Sequence, residues 1–435
     1  MKKFMLAAGI VCMAACAAFG MGGQDTAEEN ADGKTTVEFW SWLPTVIDWD
    51  PIYAAFKAEY PDIDIDYVRT EQSDYFQKLQ VALASGTGPD LFGLQPGAYV
   101  EQYGMFCADM QELADQYMPG WADVVNATAV EQSRDSEGFT TGMPVLLAGV
   151  PFMLYNDTLM KECGVTEVPK TYEEMKAAAE KITAAGYVPM AIGAADSWQS
   201  VDNFVAFCEQ FEPGAVYEAE AGLRPWTDDV FVQAMEAWKA FFTDGIFQNG
   251  ALGVVTYPDA RDQYFFARKA VFFPCGSWHV GPTSPSNAEI QGTEIQKRGD
   301  VIGMVAWPQV GPNPVVATTG VDFILSVNKD SDKKEAAMKF VDFLTRGKGQ
   351  EMWTATGQGT PVVNGMSFTG VIDGELQQQS YDTIYAMNAA SNARRKLLYA
   401  DLDKALSVAG QNIASGADIL AELEQVQAIS DSIER

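Results

Sequence analysis

The amino-acid sequence predicts an α/β fold with two lobes, and three observations carry that prediction. Residues 36–94 alternate short apolar strands with helical periodicity in the order β-α-β-α-β, the repeating unit of a parallel sheet. A second alternation of helix and strand begins near residue 169. The chain has 435 residues, and the roughly 400 that follow its N-terminal segment exceed what one hydrophobic core usually supports.

The elements of the first lobe follow one another along the N-terminal part of the chain. Residues 36–41 alternate as a strand, and Asp50-Pro51 offers an N-cap followed by proline at the first helical position. Residues 63–68 alternate again. The helix expected over 74–86 ends at glycines and a proline, and Leu91-Phe92 then begins a buried strand.

The elements of the second lobe begin with a strong helix start. Thr171 and Glu174 form a capping box that opens an alanine-rich helix, and residues 188–192 follow as a strand. Residues 225–244 have the periodicity of an amphipathic helix rich in aromatic residues. From about Gln377 onward the pattern is mostly helical, including residues 381–398.

The N-terminal segment has the pattern of an export signal. Two lysines precede an apolar run from Phe4 to Ala15, shorter than the roughly 20 residues that a membrane-spanning helix needs. The tetrapeptide Met-Ala-Ala-Cys resembles the bacterial lipoprotein cleavage box and predicts a signal peptide of residues 1–16 with lipid attached to Cys16. Ordinary signal cleavage near Gly20 is the alternative. Residues 17–35 have the composition of a flexible tether.

The charge balance argues against polyanionic partners. Twenty-nine basic and 59 acidic residues give a formal net charge of −30. Nucleic acids and anionic membrane surfaces are bound through clustered lysine and arginine, which this balance disfavours. Because 47% of the residues are hydrophobic, the chain can also bury substantial cores, and the acidic surface mainly indicates solubility.

The sequence carries no motif for a metal, a cofactor or catalysis. His279 is the single histidine, and no HExxH, GxSxG or phosphate-binding GxxxxGK[ST] segment accompanies it, which predicts a packing or ligand-adjacent role. The cysteines beyond the signal segment fit neither a zinc site nor a CxxC pair, so buried thiols and one disulfide both stay open. These cysteines are Cys107, Cys163, Cys208 and Cys275.

Several aromatic and polar residues follow predicted strands at their carboxyl ends. In an open α/β sheet ligands bind at that edge. Sugars expose apolar CH faces and hydroxyl groups, so a sugar site needs flat aromatic rings with amide and carboxyl groups around them. A core role stays open for Trp42, and a solvent-facing role for Glu71 and Gln72. The candidates from this reasoning are Trp42, Glu71, Gln72, Gln95 and Trp198.

Six segments in unbroken order carry a family resemblance. They are VEFWSW at 37–42, SGTGPDLF at 85–92, GVPFMLYNDTLMKECGV at 149–165, VPKTYEEMKAAAEKI at 168–182, RKAVFFPCGSWHVG at 268–281 and GVDFILSVNKDSDKKEAAMKFVDFLT at 320–345. Over roughly residues 36–365, the chain resembles the extracellular solute-binding proteins of bacterial ABC importers, specifically the family that binds sugars and includes the maltose-binding proteins.

The resemblance implies a two-lobed periplasmic-binding-protein fold of type II, with a hinge and a cleft between the lobes. Its chain crossings place lobe 1 at residues 36–148 plus 313–352 and lobe 2 at residues 149–312 plus 353–435. The family has a stacking aromatic where this sequence has Trp278. Asp322 lies in a family segment that abuts the cleft, so both residues join the predicted ligand-binding set.

The resemblance also implies a function without catalysis or cofactor. The protein would be the substrate-binding component of an ABC transporter, a monomer that captures a mono- or oligosaccharide by lobe closure and delivers it to membrane permease subunits. It would lie outside the cytoplasm, anchored to the cell membrane through Cys16 and facing the exterior or the periplasm. Two alternatives remain. One is a secreted glycoside hydrolase, and the other is a binding protein for a non-sugar solute such as a polyamine, held by Glu71, Asp196, Asp202 and Asp322.

Overall fold

A computed structural model describes residues 33–368 and 370–435 of the protein, without the side chain of Ser73. The predicted signal peptide, the predicted lipidation site Cys16 and all but the last residues of the predicted tether lie outside these residues. In the part of the chain that the structure describes, no helix combines the length and apolar character needed to cross a membrane.

The strands of the described residues form two separate sheets. In chain order they are β1 Thr35–Ser41, β2 Ile63–Arg69, β3 Leu91–Leu94, β4 Met143–Val150, β5 Phe152–Asn156, β6 Val188–Met190, β7 Ala270–Cys275, β8 Ile302–Ala306, β9 Thr318–Val327, β10 Thr360–Pro361 and β11 Ala393–Arg394. The larger sheet has the order β10-β4-β9-β3-β1-β2 with β11 beside β9, and the smaller has the order β6-β7-β5-β8.

The larger sheet confirms the β-α-β-α-β prediction for the start of the chain. Strand β1 pairs in parallel with both β2 and β3, and β9 and β4 extend this sheet in the antiparallel direction. The carboxyl ends of β1, β2 and β3 therefore meet at one edge, from which the loops that follow them project.

The smaller sheet is buried on both faces. Along β5, Phe152 and Leu154 pack into one apolar cluster while Met153 and Tyr155 pack into another on the opposite face. Alternation of side chains along a strand sends successive residues to opposite faces. With both faces covered, the strand carries a continuous apolar run instead of an alternating one.

Helices cover the sheets and build most of the C-terminal part. In chain order they are α1 Val46–Glu59, α2 Gln72–Ala84, α3 Ala98–Tyr103, α4 Met110–Tyr117, α5 Trp121–Val124, α6 Ala127–Glu131, α7 Asp157–Glu162, α8 Tyr172–Ala184, α9 Ser197–Phe211, α10 Ala215–Glu220, α11 Asp229–Thr243, α12 Glu294–Arg298, α13 Lys334–Thr345, α14 Lys348–Thr354, α15 Glu375–Ala390, α16 Ala400–Ala414 and α17 Ile419–Asp431. A π-helical segment, Thr256–Phe265, precedes β7.

The chain passes between the sheets several times. Only Pro151 separates β4 of the larger sheet from β5 of the smaller one, and the chain returns between β8 and β9. Strand β11 lies on the larger sheet, after which α16 packs on α9 and α11. The sheet pairing differs from the predicted lobe limits at Gly149 and Val150, which pair with β9, and at β10 and β11, which were assigned to the second lobe.

Two helix predictions are wrong in their limits. Helix α1 begins at Val46 and contains Pro51, one turn earlier than the predicted start at Asp50, because Thr45 already provides the extended N-cap backbone. The predicted helix over residues 381–398 ends at Ala390, since residues 393–394 pair with β9 instead. Both errors arise where contacts distant in sequence decide the local conformation.

Candidate functional site

A cavity of about 700 Å³ lies between the two sheets. The loops after β1, β2 and β3 and the middle of β9 line one side, and the loops after β6 and β7, together with the π-helical segment, line the other. The cavity is therefore bounded by groups from both lobes. Clefts of this kind between two lobes are common ligand sites.

All seven residues that the sequence analysis assigned to ligand binding line this one cavity. They are Trp42, Glu71, Gln72, Gln95, Trp198, Trp278 and Asp322. They come from segments that span 280 residues of the chain, so only the fold brings them together. Their role in binding stays a prediction, and their common position agrees with it.

The second lobe supplies an aromatic wall. Trp198 and Trp278 meet edge to face with ring centroids 5.7 Å apart, and the Trp278 Nε1–H donates to Tyr257 Oη at 2.9 Å. The rings of Trp198 and Tyr257 are nearly parallel, 12° apart, with centroids 6.5 Å apart. Both tryptophans are half-buried, which leaves ring surface for the apolar face of a ligand.

The first lobe supplies a polar wall. The Gln95 Nε2–H donates to Asp322 Oδ1 at 2.9 Å, and both side chains are largely buried. Glu71 lies farther out, with 57% of its side chain exposed, and pairs with Arg69 at 2.6 Å. Gln72, the first residue of α2, lies next to it.

Trp42 contributes less to the cavity than the other aromatic residues. Its side chain is 7% exposed and packs against Tyr75, Phe76 and Phe323 with centroid distances of 5.1–5.4 Å. The core role that the sequence left open is therefore its main one, and only its outer edge faces the cavity. Trp40 packs against the same core and is not among the lining residues.

The cavity holds five basic side chains that the sequence analysis did not find there. They come from four separate segments, and only Arg395 and Lys396 are neighbours in the sequence, within the basic run 394–396. Each has an acidic partner within 3.0 Å. The pairs are Arg69 with Glu71, Arg261 with Asp262, Lys297 with Glu294, Arg395 with Asp202 and Lys396 with Asp202.

Arg395 joins the two walls. Its Nε donates to Asp202 Oδ2 of α9 at 2.9 Å, and Nη2 lies 2.7 Å from the same oxygen as an ion pair. Its Nη1 donates to Asp322 of β9. The guanidinium also lies 4.6 Å from the centroid of the Trp278 ring, a cation–π distance. Burial lowers the pKa of Arg395, but the Asp202 and Asp322 carboxylates outweigh that effect and raise it overall.

Tyr257 and Arg261 reach the cavity from the π-helical segment. The Arg261 guanidinium lies 5.2 Å from the Tyr257 ring centroid. A π-helix cannot be inferred from hydrophobic periodicity, since it departs from the 3.6-residue period, and such segments often occur at functional sites. The Tyr-Pro dipeptide at 257–258 was the one local sign of irregular backbone in this region.

Asp48 lies in the first turn of α1 and, unlike Thr45 and Val46, is not among the residues that line the cavity. Its carboxyl group accepts a hydrogen bond from Thr45 Oγ1 and is 7% exposed. Burial raises its pKa from 3.8 to about 6, although the hydrogen bonds from Thr45 lower it, and the nearby Glu289 carboxylate adds to the rise. The folded protein therefore holds this carboxyl protonated at pH values where the unfolded chain has already ionised it.

Asp48→Asn is expected to stabilise the protein at pH 7.5 and to lower its stability at pH 4, where only the cost of burying the amide remains. The penalty for the charged form is absent below pH 3.8 and complete above about pH 6. Two pKa units correspond to about 3 kcal/mol, and burying the amide offsets part of this, so we expect a gain of about 1–2 kcal/mol. Denaturant unfolding at both pH values measures it. Asp50→Asn, on the exposed side of the same helix, is the control, and an equal gain from it would contradict the burial argument.

Comparison with known proteins now gives the family. The model of the family described as "Bacterial extracellular solute-binding protein" matches residues 44–351. The chain belongs to this family. The predicted membership in the extracellular solute-binding proteins is thereby confirmed, and the family consists of substrate-binding proteins.

Individual relatives agree with this assignment. The chain is 26% identical over 324 residues to "Alpha-glucosides-binding periplasmic protein AglE" of Rhizobium meliloti (strain 1021), covering 70% of this chain and 66% of that protein, just under two thirds of its length. A structure from work on xylan utilization by Caldanaerobius polysaccharolyticus is 18% identical with a TM-score of 0.76, covering 90% of this chain and 99% of that one. Maltose-bound MalE3 of T. maritima is 16% identical with a TM-score of 0.74, covering 91% and 99%.

The described residues include four cysteines, and their side chains are free and buried. They are Cys107, Cys163, Cys208 and Cys275. Burial raises the pKa of each thiol, which keeps these cysteines protonated and unreactive. Among the residues that the structure describes, no group of three or more histidine, cysteine or acidic side chains could hold a metal ion.

Proposed function

We propose that this protein is the substrate-binding component of an ABC transporter that captures an uncharged carbohydrate between its lobes. The observation that carries the proposal is the opposition of the two walls: Trp198, Tyr257 and Trp278 on one side face Gln95 and Asp322 on the other. A pyranose ring presents apolar CH groups on its faces and hydroxyls at its rim. The first wall suits the faces and the second suits the rim.

The charges around the cavity favour an uncharged ligand. Five acidic and five basic side chains line it, and the basic ones are paired within the protein. A phosphate or carboxylate ligand would require basic groups free to contact it. Of the acidic groups that the sequence offered for a polyamine, Asp202 and Asp322 are both bonded to Arg395, and Glu71 is paired with Arg69. The polyamine alternative is therefore the weaker one.

Closure of the lobes supplies the affinity. A sugar on the tryptophans alone would gain only the contacts of the second lobe. When the hinge closes, the sugar hydroxyls also form hydrogen bonds with the Gln95 amide and donate to the Asp322 carboxylate, so the ligand favours the closed state over the open one. The short connection at Pro151 and the crossing between β8 and β9 are suited to act as the hinge.

The relatives support a sugar as ligand. AglE is described as an alpha-glucosides-binding protein, and MalE3 was solved with maltose. We infer that the present chain binds a mono- or oligosaccharide as a monomer, without turning it over, and presents it to permease subunits outside the cytoplasm. A lipid on Cys16, which lies outside the described residues, would keep it at the membrane surface.

Titration with neutral sugars tests this function. We expect at least one member of a panel of glucosides, galactosides and xylo-oligosaccharides to raise the melting temperature and to give stoichiometric heat in calorimetry. The panel also includes putrescine and spermidine. Chromatography of the sugar after incubation should show it unchanged. Stabilisation by the polyamines alone, or release of shorter sugars, would contradict the proposal.

A further inference from the structure

The cavity extends beyond the aromatic wall. On the second lobe, the Arg261 guanidinium lies 5.2 Å from the Tyr257 ring centroid and 5.4 Å from that of Phe266. The Phe266 carbonyl accepts from the Ile295 N–H at 3.3 Å, which places α12 next to this segment. The second lobe therefore offers a further stretch of lining beyond the aromatic rings, formed by Arg261, Asp262, Glu294 and Lys297.

The first lobe lines the same end of the cavity with the start of α1. Ile47 lines this cavity and also a second, smaller one of about 350 Å³, which it shares with Glu289. Glu289 Oε2 lies 3.7 Å from Arg261 Nη1, so the start of α1 is at the Arg261 end. Leu43, Val46 and Ile47, together with the stretch of the second lobe opposite them, form the outer part of the cavity.

Two adjacent apolar side chains of the outer part are open to solvent. Val46 is 68% exposed and Ile47 is 48% exposed, and they are the first two residues of α1. A single exposed apolar side chain needs no explanation, but a pair that continues the lining of a ligand cavity marks a contact surface. A ligand that covers this pair removes apolar area from water and gains affinity.

The opposite side of the outer part carries two ion pairs. Arg261 Nε lies 2.6 Å from Asp262 Oδ1, and Lys297 Nζ lies 2.9 Å from Glu294 Oε1. The four side chains are 23–58% exposed, so a ligand has access to them. A guanidinium has several N–H donors and a carboxylate accepts at several positions, so each pair keeps donors and acceptors for hydroxyl groups.

The outer part repeats the chemistry of the inner part with the lobes exchanged. Around Trp198 and Trp278 the second lobe supplies the apolar surface, whereas at Val46 and Ile47 the first lobe supplies it. A pyranose needs one apolar surface and one set of polar groups, and the cavity offers two of each. Its volume of about 700 Å³ agrees, because cavities of this size enclose ligands larger than a monosaccharide of about 12 non-hydrogen atoms.

We propose that the outer part is a second sugar subsite and that the ligand is an oligosaccharide of at least two units. This inference rests on the proposed function and decides between the two ligand sizes that it leaves open. One unit lies on the tryptophans of the inner part. The next unit lies with a ring face on Val46 and Ile47, and its hydroxyls bond to the two ion pairs opposite.

Sugars of increasing length test the second subsite. Calorimetry is carried out with the mono-, di- and trisaccharide of the glucose, galactose and xylose series. In at least one series we expect the disaccharide to bind about 10- to 100-fold more tightly than its monosaccharide, because the second unit binds as part of the same molecule. A monosaccharide too weak for direct titration is measured by displacement of its disaccharide.

Replacing the exposed pair assigns this gain to the outer part. Val46→Thr with Ile47→Thr removes apolar surface and keeps the branched shape. This double variant should bind the disaccharide about 5- to 20-fold more weakly and the monosaccharide like wild type. Val81→Thr is the control, since Val81 is 66% exposed on α2 and is not among the lining residues, and it should change neither affinity.

Two results would contradict the second subsite while the proposed function stands. One is a monosaccharide that binds as tightly as its di- and trisaccharide. The other is a double variant that weakens both sugars alike or leaves both unchanged, since the exposed pair would then not contact a second unit. If no sugar of the three series binds, the second subsite and the proposed function are both wrong.

Discussion

Replacing Trp278 by alanine is expected to lower the affinity for the sugar ligand by about 2–4 kcal/mol, the range of a central aromatic anchor. This corresponds to a roughly 30- to 1,000-fold higher Kd. Trp278 lies at the centre of the aromatic wall, in contact with Trp198, Tyr257 and Arg395. Its loss removes a ring face from the ligand and also the group that orients its neighbours. Calorimetric titration of both proteins with the same neutral sugar gives the difference.

The control for this variant is a tryptophan that packs against the core of the first lobe. Trp40→Ala removes a half-buried indole that bonds to Glu38 and is not among the lining residues. We expect this variant to be less stable but to keep its Kd within about twofold of the wild-type value. A substitution outside a binding site rarely changes the affinity of that site. Equal losses of affinity in both variants would show that a general loosening of the protein, not the aromatic wall, explains the result.

The stability of Trp278→Ala without ligand distinguishes a binding role of Trp278 from a core role. The indole gives up one hydrogen bond to Tyr257 and one cation–π contact with Arg395. We expect the unfolding free energy to fall by about 1–2 kcal/mol, since each such contact contributes on the order of 1 kcal/mol. A larger loss of stability than of affinity would make Trp278 a core residue.

The sequence predicted the early part of the fold because its signals there are local. The β-α-β-α-β order follows from alternation and turn residues, and β1, β2 and β3 pair as expected. Strands β10 and β11 have two residues each and form only because partners more than 70 residues away present free edges. No periodicity marks a two-residue strand, and the stretch from 381 was therefore read as one helix.

The candidate site likewise contains residues that local sequence signals predicted and residues that they did not. The rule that ligands bind at the carboxyl ends of strands needs only local information, and it placed Gln95, Glu71 and Trp198 at the cavity. Arg395 follows a strand too short to recognise, and Tyr257 lies in a π-helix. Tyr257 precedes a proline and Arg395 lies in the basic run 394–396, but neither feature predicts a position at the cavity. Their roles depend on contacts with Asp202 and Trp278, which only the folded chain brings near.

Arg395→Met is expected to lower the unfolding free energy by about 3–5 kcal/mol, the largest effect among the changes proposed for this protein. Arg395 and Asp202 are 4% and 1% exposed in their side chains. Removing the guanidinium leaves Asp202 with Lys396 as its remaining cationic partner, 3.0 Å away. It also frees Asp322 and the inner face of Trp278. Denaturant unfolding measures the loss of stability, and calorimetry is expected to show weaker sugar binding as well.

A surface arginine with as many partners provides the matched control. Arg224 pairs with Glu212, Glu218 and Asp228, whose side chains are 35–59% exposed. Because water replaces exposed partners readily, Arg224→Met should cost at most about 1 kcal/mol. The double variant Arg395→Met with Asp202→Asn should be more stable than Arg395→Met alone, since it no longer buries an undercompensated charge. Similar losses for the two single arginine variants would mean that the buried network does not hold the lobes at the cleft.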